Sequence, residues 1–157
     1  MIELRRADAN GTEQLGAALA RTAPWRAPQA LTVFLHGELG AGKTTLARGL
    51  LRELGVQGTV RSPSYTLLES YEPAGFRVLH LDLYRLSGAE ELAVLGIRDE
   101  LAPGVMLLIE WPERASEALP PPDLRLTYSL LGESRRVRLE GATPVGAAWL
   151  SALQGML

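Results

Sequence analysis

An α/β chain, with a mixed central sheet between layers of helices on both sides, is the fold that three features of this sequence predict. An apolar, β-branched run, LTVFLH from Leu31, breaks into a glycine-rich loop that feeds the amphipathic stretch KTTLARGLLRELG. Two further apolar runs, RVLHLD and VMLLIE, each end in a carboxylate, Asp82 and Glu110. Strand-like and helix-like segments also alternate along most of the chain, as a sheet covered by helices requires.

The elements follow in order. Met1 to Arg6 reads as a short strand, and ADANGTEQLGAALARTA as a helix capped by Asn10 or Thr12, with Leu15, Ala18 and Leu19 facing inward. The two prolines of PWRAPQA end that helix. LTVFLHG is a buried strand, and the helix after it carries Leu46, Leu50 and Leu54 in line and stops at Gly55. VQGTVRSPSYTLLESYEP opens as a loop and becomes a strand from Tyr65 to Tyr71, paired as a hairpin with FRVLHLDLYR through the turn PAG. SGAEELAVLGIRDELAPG gives one helix or two short ones, with Ser87 as cap and Glu90 completing a capping box. VMLLIE is a fully apolar strand. After LPPPD, the segment LRLTYSLLGESRRVRLEG reads as a second hairpin turning at GES, and VGAAWLSALQGML as a closing helix.

Length and composition bound the function. A chain of 157 residues is expected to form one domain over 1–157, with 46% hydrophobic and 22% charged residues, ordinary for a globular protein. A net charge of −2 argues against a surface built to neutralise many phosphates of a nucleic acid. There are no cysteines, so disulfides, thiolate metal sites and cysteine nucleophiles are excluded. The opening MIELRRADANGTEQLG has no secretory apolar core and no run approaches membrane-spanning length, so the expectation is a cytoplasmic protein with no membrane partner.

The chemistry concentrates in GELGAGKT, Gly37 to Thr44, which matches G-x-x-x-x-G-K-[ST] and has the strand before and helix after that the motif needs. The predicted fold is therefore of the P-loop NTPase type, with the nucleotide held by Gly37, Glu38, Leu39, Gly40, Ala41, Gly42, Lys43, Thr44 and Thr45. Glycines let the backbone wrap around phosphate oxygens, and the helix N-terminus turns unpaired amides and its positive dipole end toward them. Lys43 is the only lysine; the other 15 basic residues are arginine. A compact ammonium on a flexible stem reaches between phosphates inside a narrow cradle, where the broad guanidinium fork does not fit. The Thr44 hydroxyl is expected on Mg²⁺.

Such a site needs a carboxylate at the end of a neighbouring strand, to hold the metal or orient the attacking water. Glu110 and Asp82 both qualify, with Glu110 assigned to the metal side and Asp82 nearer the water, against the lesser alternative that either one alone merely caps a turn. Trp111 is either core or an aromatic at the mouth of the site. In RSPSYTLLESY, the hydroxyls of Ser62, Ser64 and Thr66 stand where nucleotide switches sense the γ-phosphate, against the alternative of an ordinary polar loop. His36 and His80 read as hydrogen-bonded structural histidines. Arg135 and Arg136 either approach the nucleotide or are solvated. Guanine recognition normally brings an N-K-x-D element, and the single asparagine, Asn10, and single lysine leave none, which favours ATP.

GELGAGKTTLARGLL, SPSYTL, HLDLYRL and IEWPE, in this order within one small chain, resemble the bacterial TsaE family, also called YjeE, with weaker agreement at TEQLG. The likeness covers about half of the chain, and the four segments together are specific where each outside the P-loop is only suggestive. The resemblance implies an ATPase acting with two partner proteins, TsaD and TsaB, in making threonylcarbamoyladenosine beside the anticodon of tRNAs that read codons starting with A. TsaD would perform the transfer, ATP hydrolysis would support assembly and repeated turnover, and tRNA would be met only through the complex. On this sequence the resemblance puts phosphate binding on Leu39 to Thr44, metal contacts on Thr44 and Glu110, and an activity-linked aspartate on Asp82. It also implies a functional Trp111, a switch-like Thr66, and a nucleotide contact from Arg135 or Arg136. Hydrolysis would be slow without partners, since the switch segment carries no arginine besides Arg61 to complete the site. The alternatives are a small kinase acting on a nucleoside, sugar or polynucleotide end, and a non-hydrolysing ATP sensor. Gly141 to Leu157 matches no motif.

Overall fold

A computed structural model describes residues 1–6 and 8–157 of the chain. Seven strands form one mixed sheet: β1 (Ile2–Arg6), β2 (Leu31–His36), β3 (Leu68–Tyr71), β4 (Arg77–Asp82), β5 (Val105–Glu110), β6 (Leu124–Leu131) and β7 (Ser134–Gly141). Their spatial order is β1-β7-β6-β2-β5-β4-β3. The four central strands, β6, β2, β5 and β4, run parallel, and both edges are finished by antiparallel pairings, β3 on β4 and β7 and β1 beyond β6. The expected mixed sheet is therefore present, and β2, β5 and β4 are buried along nearly their whole length, as parallel strands covered on both faces must be, whereas β6 alternates between buried and exposed positions.

Alternation along the strands feeds two cores. Leu31, Val33 and Leu35 of β2, with Met106 and Leu108 of β5, face the helices α1 (Ala9–Thr22), α2 (Lys43–Glu53) and α4 (Pro144–Met156). Phe34, Leu79, Leu81, Leu107 and Ile109 face the other way, onto Leu92 of the short helix α3 (Ala89–Val94) and Ile97 of the 3-10 turn after it. Close contact between α1 and α2 depends on two glycines. A Cβ on Gly16 would lie 2.2 Å from the Leu46 carbonyl oxygen, and one on Gly49 would lie 2.1 Å from that of Glu13. Small residues at the crossing let the backbones touch, which seats the P-loop helix firmly on the sheet. The closing helix α4, which matched no motif, anchors the same layer through Trp149, whose indole N–H donates to the Leu19 carbonyl at 3.3 Å.

Several local expectations are corrected. The cap of α1 is Asp8, one residue before the helix, which accepts from the Gly11 amide at 2.9 Å; Asn10 and Thr12 lie inside the helix. The strand β3 begins at Leu68 rather than Tyr65, because Leu67 has φ of 66°, a left-handed turn that no paired strand tolerates. The capping box at Ser87 does not form: Gly88 is the cap of α3, and the Ser87 amide instead donates to Glu91 at 2.8 Å. Among the described residues no helix is long and apolar enough to cross a membrane.

Candidate functional site

The carboxyl ends of the parallel strands β2, β4 and β5 meet at one edge of the sheet, the place where open α/β sheets bind ligands. The loop from Gly37 to Gly42 leaves β2 there and enters α2, with positive φ at Gly37 (147°), Gly40 (76°) and Gly42 (116°). At Gly37 the need is spatial as well, because a Cβ would stand 2.9 Å from the Tyr128 Cβ. These angles turn the loop around a hollow at the N-terminus of α2, where amide groups lack helical partners.

Lys43, the first residue of α2, lies across this hollow. Its ammonium donates to the Gly37 carbonyl and sits 3.9 Å from the centroid of the Trp111 ring. Only 4% of Lys43 is exposed. Burial pushes its pKa below the ordinary lysine value, and the Glu110 and Asp82 carboxylates pull it back toward the charged form. Bound phosphates would act in the same direction as those carboxylates.

The two carboxylates are neighbours by register: Asp82 and Glu110 are paired positions of β4 and β5. Both are buried, at 6% and 2% exposure. The Thr44 hydroxyl lies 3.4 Å from each oxygen of Glu110. The Ser62 hydroxyl donates to Asp82 and approaches Glu110 at 3.4 Å, so it ties the two acids together. Asp82 also accepts the Tyr84 amide at 3.0 Å. This donor set fits Mg²⁺: hydroxyl and carboxylate oxygens converge beside the phosphate loop. Mg²⁺ keeps several waters and takes only one or two carboxylates plus substrate phosphates.

A cavity of about 310 Å³ joins these groups. Of the residues expected at the site, it is lined by Leu39, Gly40, Gly42, Lys43, Thr44, Thr45, Ser62, Ser64, Asp82, Glu110, Trp111 and Arg135. Gly37 lies beneath it as the acceptor of Lys43, Ala41 is packed into the core, and Glu38 is exposed without lining it. Thr66 lines a second recess that shares Ser62 and Ser64 and holds Arg61 and Tyr65. Arg135 and Arg136, adjacent on β7, separate by strand alternation. Arg135 reaches toward the Gly40 carbonyl at 3.5 Å, whereas Arg136 pairs with Glu3 of β1 at 3.2 Å and lines no part of the cavity. Trp111 takes φ of 57° directly after Glu110, which turns its ring over Lys43 and against Tyr84, with 5.0 Å between ring centroids.

Sequence reasoning left out Asp8, Ala9, Thr12 and Glu133, which line the same cavity from the start of α1 and the β6–β7 turn. Nothing in their local pattern marks them, since Asp8, Ala9 and Thr12 reach the site through the packing of α1 on α2, and Glu133 through the placement of the β6–β7 turn beside the loop. His36 and His80 both hydrogen-bond as expected, His36 to Glu113 at 3.3 Å, but His80 is fully buried against Glu110.

Comparison with known proteins places this geometry among relatives. Residues 6–138 match the family model described as threonylcarbamoyl adenosine biosynthesis protein TsaE. A tRNA threonylcarbamoyladenosine biosynthesis protein TsaE of Haemophilus influenzae is 44% identical over 124 residues, covering 79% of this chain and 78% of that protein. A protein of the same name from Synechocystis is 38% identical, covering 68% of each chain. The crystal structure of YdiB from Bacillus subtilis superposes with a TM-score of 0.77, at 24% identity, over 99% of this chain and 95% of that one, which supports the fold.

Proposed function

Since the chain belongs to the TsaE family of threonylcarbamoyladenosine biosynthesis, we propose that it is the ATP-binding and ATP-hydrolysing component of that tRNA modification machinery, a single P-loop domain acting in the cytoplasm with TsaD and TsaB. The observation that carries this reading is the buried pair Asp82 and Glu110, held side by side across from Thr44 at the mouth of the phosphate loop. Two acids at this place give a bound Mg-nucleotide one carboxylate for the metal side and a second free to orient water, which is what hydrolysis needs beyond binding.

The residues divide the work. Amides of the loop between Gly37 and Thr44 and the Lys43 ammonium hold the phosphates and stabilise charge as it develops on the γ-phosphoryl oxygens. Thr44 and Glu110 would hold Mg²⁺, which when bound supplies electrostatic stabilisation of the transferring group and its leaving oxygens. Asp82, bridged to that pair through Ser62, orients water for in-line attack. Trp111 covers Lys43 and keeps bulk water off it, and Arg135 approaches the nucleotide from the β6–β7 turn. Ser62, Ser64 and Thr66 connect the metal side to the exposed segment around Tyr65, so that a partner binding there completes the site. tRNA is then engaged through the complex, in keeping with the net charge of −2.

The test is the fate of γ-labelled ATP with purified protein and Mg²⁺. The proposal expects label in free phosphate and none when Lys43→Ala replaces the wild type. Label transferred to a nucleoside, sugar or polynucleotide end would assign the protein to the kinases, and bound but intact ATP would make it a sensor.

A further inference from the structure

The geometry points to His80 as the positioning residue that aims Glu110 at the metal, a role resting on the reading of Thr44 and Glu110 as the Mg²⁺ side of the site. His80 precedes Asp82 by two residues on β4, so both side chains project from the same face of the sheet as Glu110. The imidazole is 0% exposed, and its Nε2 stands 2.7 Å from Glu110 Oε2. Its Nδ1 is also buried and makes no hydrogen bond. A carboxylate only accepts, so Nε2 carries a hydrogen and donates to Glu110, while Nδ1 is left without a partner.

The consequence is an asymmetric carboxylate. Oε2 of Glu110 takes the imidazole N–H, which Oε1 does not, while the Thr44 hydroxyl stands 3.4 Å from both oxygens and the Ser62 hydroxyl, donated to Asp82, lies 3.4 Å from Oε2. Pinning Oε2 to the imidazole restricts the carboxyl group beside Thr44 and leaves Oε1 without that bond, open to a metal held between Glu110 and Thr44. Imidazoles and carboxylates behind a metal ligand commonly set its orientation in this way, and their loss costs about 10- to 100-fold in metal affinity. An apolar residue of similar size would fill the space at His80 equally well, and only the N–H distinguishes orientation from filling.

The experiment titrates Mg²⁺ into protein with a fluorescent ADP analogue, following anisotropy, for wild type, His80→Gln and His80→Met. Glutamine can return an N–H close to the Nε2 position, whereas methionine supplies volume alone. The expected result is a Mg²⁺ half-saturation raised about 10-fold or more in His80→Met and within about threefold of wild type in His80→Gln, with metal-free ADP affinity equal in all three. Equal half-saturation in wild type and His80→Met would overturn the positioning role. So would an equal rise in both variants accompanied by loss of metal-free ADP binding, which marks a packing defect. A wild type whose ADP affinity ignores Mg²⁺ would remove the metal from Glu110 itself, and the role of His80 with it.

Discussion

The two sides of the site are built from different material. On one side every functional group leaves a regular element or its first turn: Lys43 and Thr44 begin α2, Glu110 ends β5, and His80 lies within β4. On the other side Ser62, Ser64 and Thr66 sit on an irregular stretch between α2 and β3. Two of its backbone hydrogen bonds run within itself, from the Ser64 amide to Ser62 and from that of Leu67 to Pro63, and its end is tied to β4 by the Asp82 amide, which donates to the Leu67 carbonyl at 3.0 Å. Tyr65, at its crest, is 84% exposed and stacks under the Arg85 guanidinium at 4.5 Å. The contrast teaches that phosphate and metal binding rest on the packed sheet, while the Ser62 contact to Asp82 rests on a segment with little local stability of its own. Binding and turnover should therefore separate under mutation.

The strongest break falls on the rigid side. Lys43→Ala should abolish measurable phosphate release, a loss of about 100-fold or more, because it removes the one side-chain cation inside the loop. Next come the acids, which should part company: Asp82→Asn is expected to lower kcat about 100-fold with ADP affinity within about threefold, whereas Glu110→Gln should also raise the Mg²⁺ requirement. Steady-state kinetics at several Mg²⁺ concentrations checks both, and identical profiles would erase the division between the two carboxylates. Gly49→Ala probes the support beneath the loop. Its Cβ would meet the Glu13 backbone, so chemical denaturation should show a loss of about 2 kcal/mol, roughly thirtyfold in the folding equilibrium. On the irregular side, Ser62→Ala should cost about tenfold in kcat and leave nucleotide affinity unchanged. The smallest effect separates the arginines: Arg135→Ala should raise the KM for ATP about threefold, and Arg136→Ala, which loses an exposed pair with Glu3, should leave it unaltered.

Legibility from sequence follows the same divide. The strand, the loop and α2 were readable because their signals are local: periodicity, glycine spacing and a strand-ending carboxylate. Asp82 and Glu110 were readable for the same reason, although their adjacency was not, since it depends on the parallel register of β4 and β5 across 28 residues of chain. His80 read as a structural histidine because its partner lies 30 residues away, and only that register brings it to Glu110. The start of β3 was misplaced by the β-forming Tyr65 and Thr66, where the left-handed Leu67 decides the outcome. Asp8 was overlooked as a cap because Asn10 and Thr12, two and four residues on, are equally good capping types, and the choice is made by where β1 hands over to α1.

The central claim is that a well-formed binding side waits on a segment that a partner must complete. It is tested most directly by measuring phosphate release from ATP by wild type, Ser62→Ala and Asp82→Asn, each alone and with TsaD and TsaB present. The account predicts slow release by the wild type alone, a marked rise with the partners, a smaller rise for Ser62→Ala and none for Asp82→Asn. A wild-type rate indifferent to the partners, or equal stimulation of all three proteins, would contradict it.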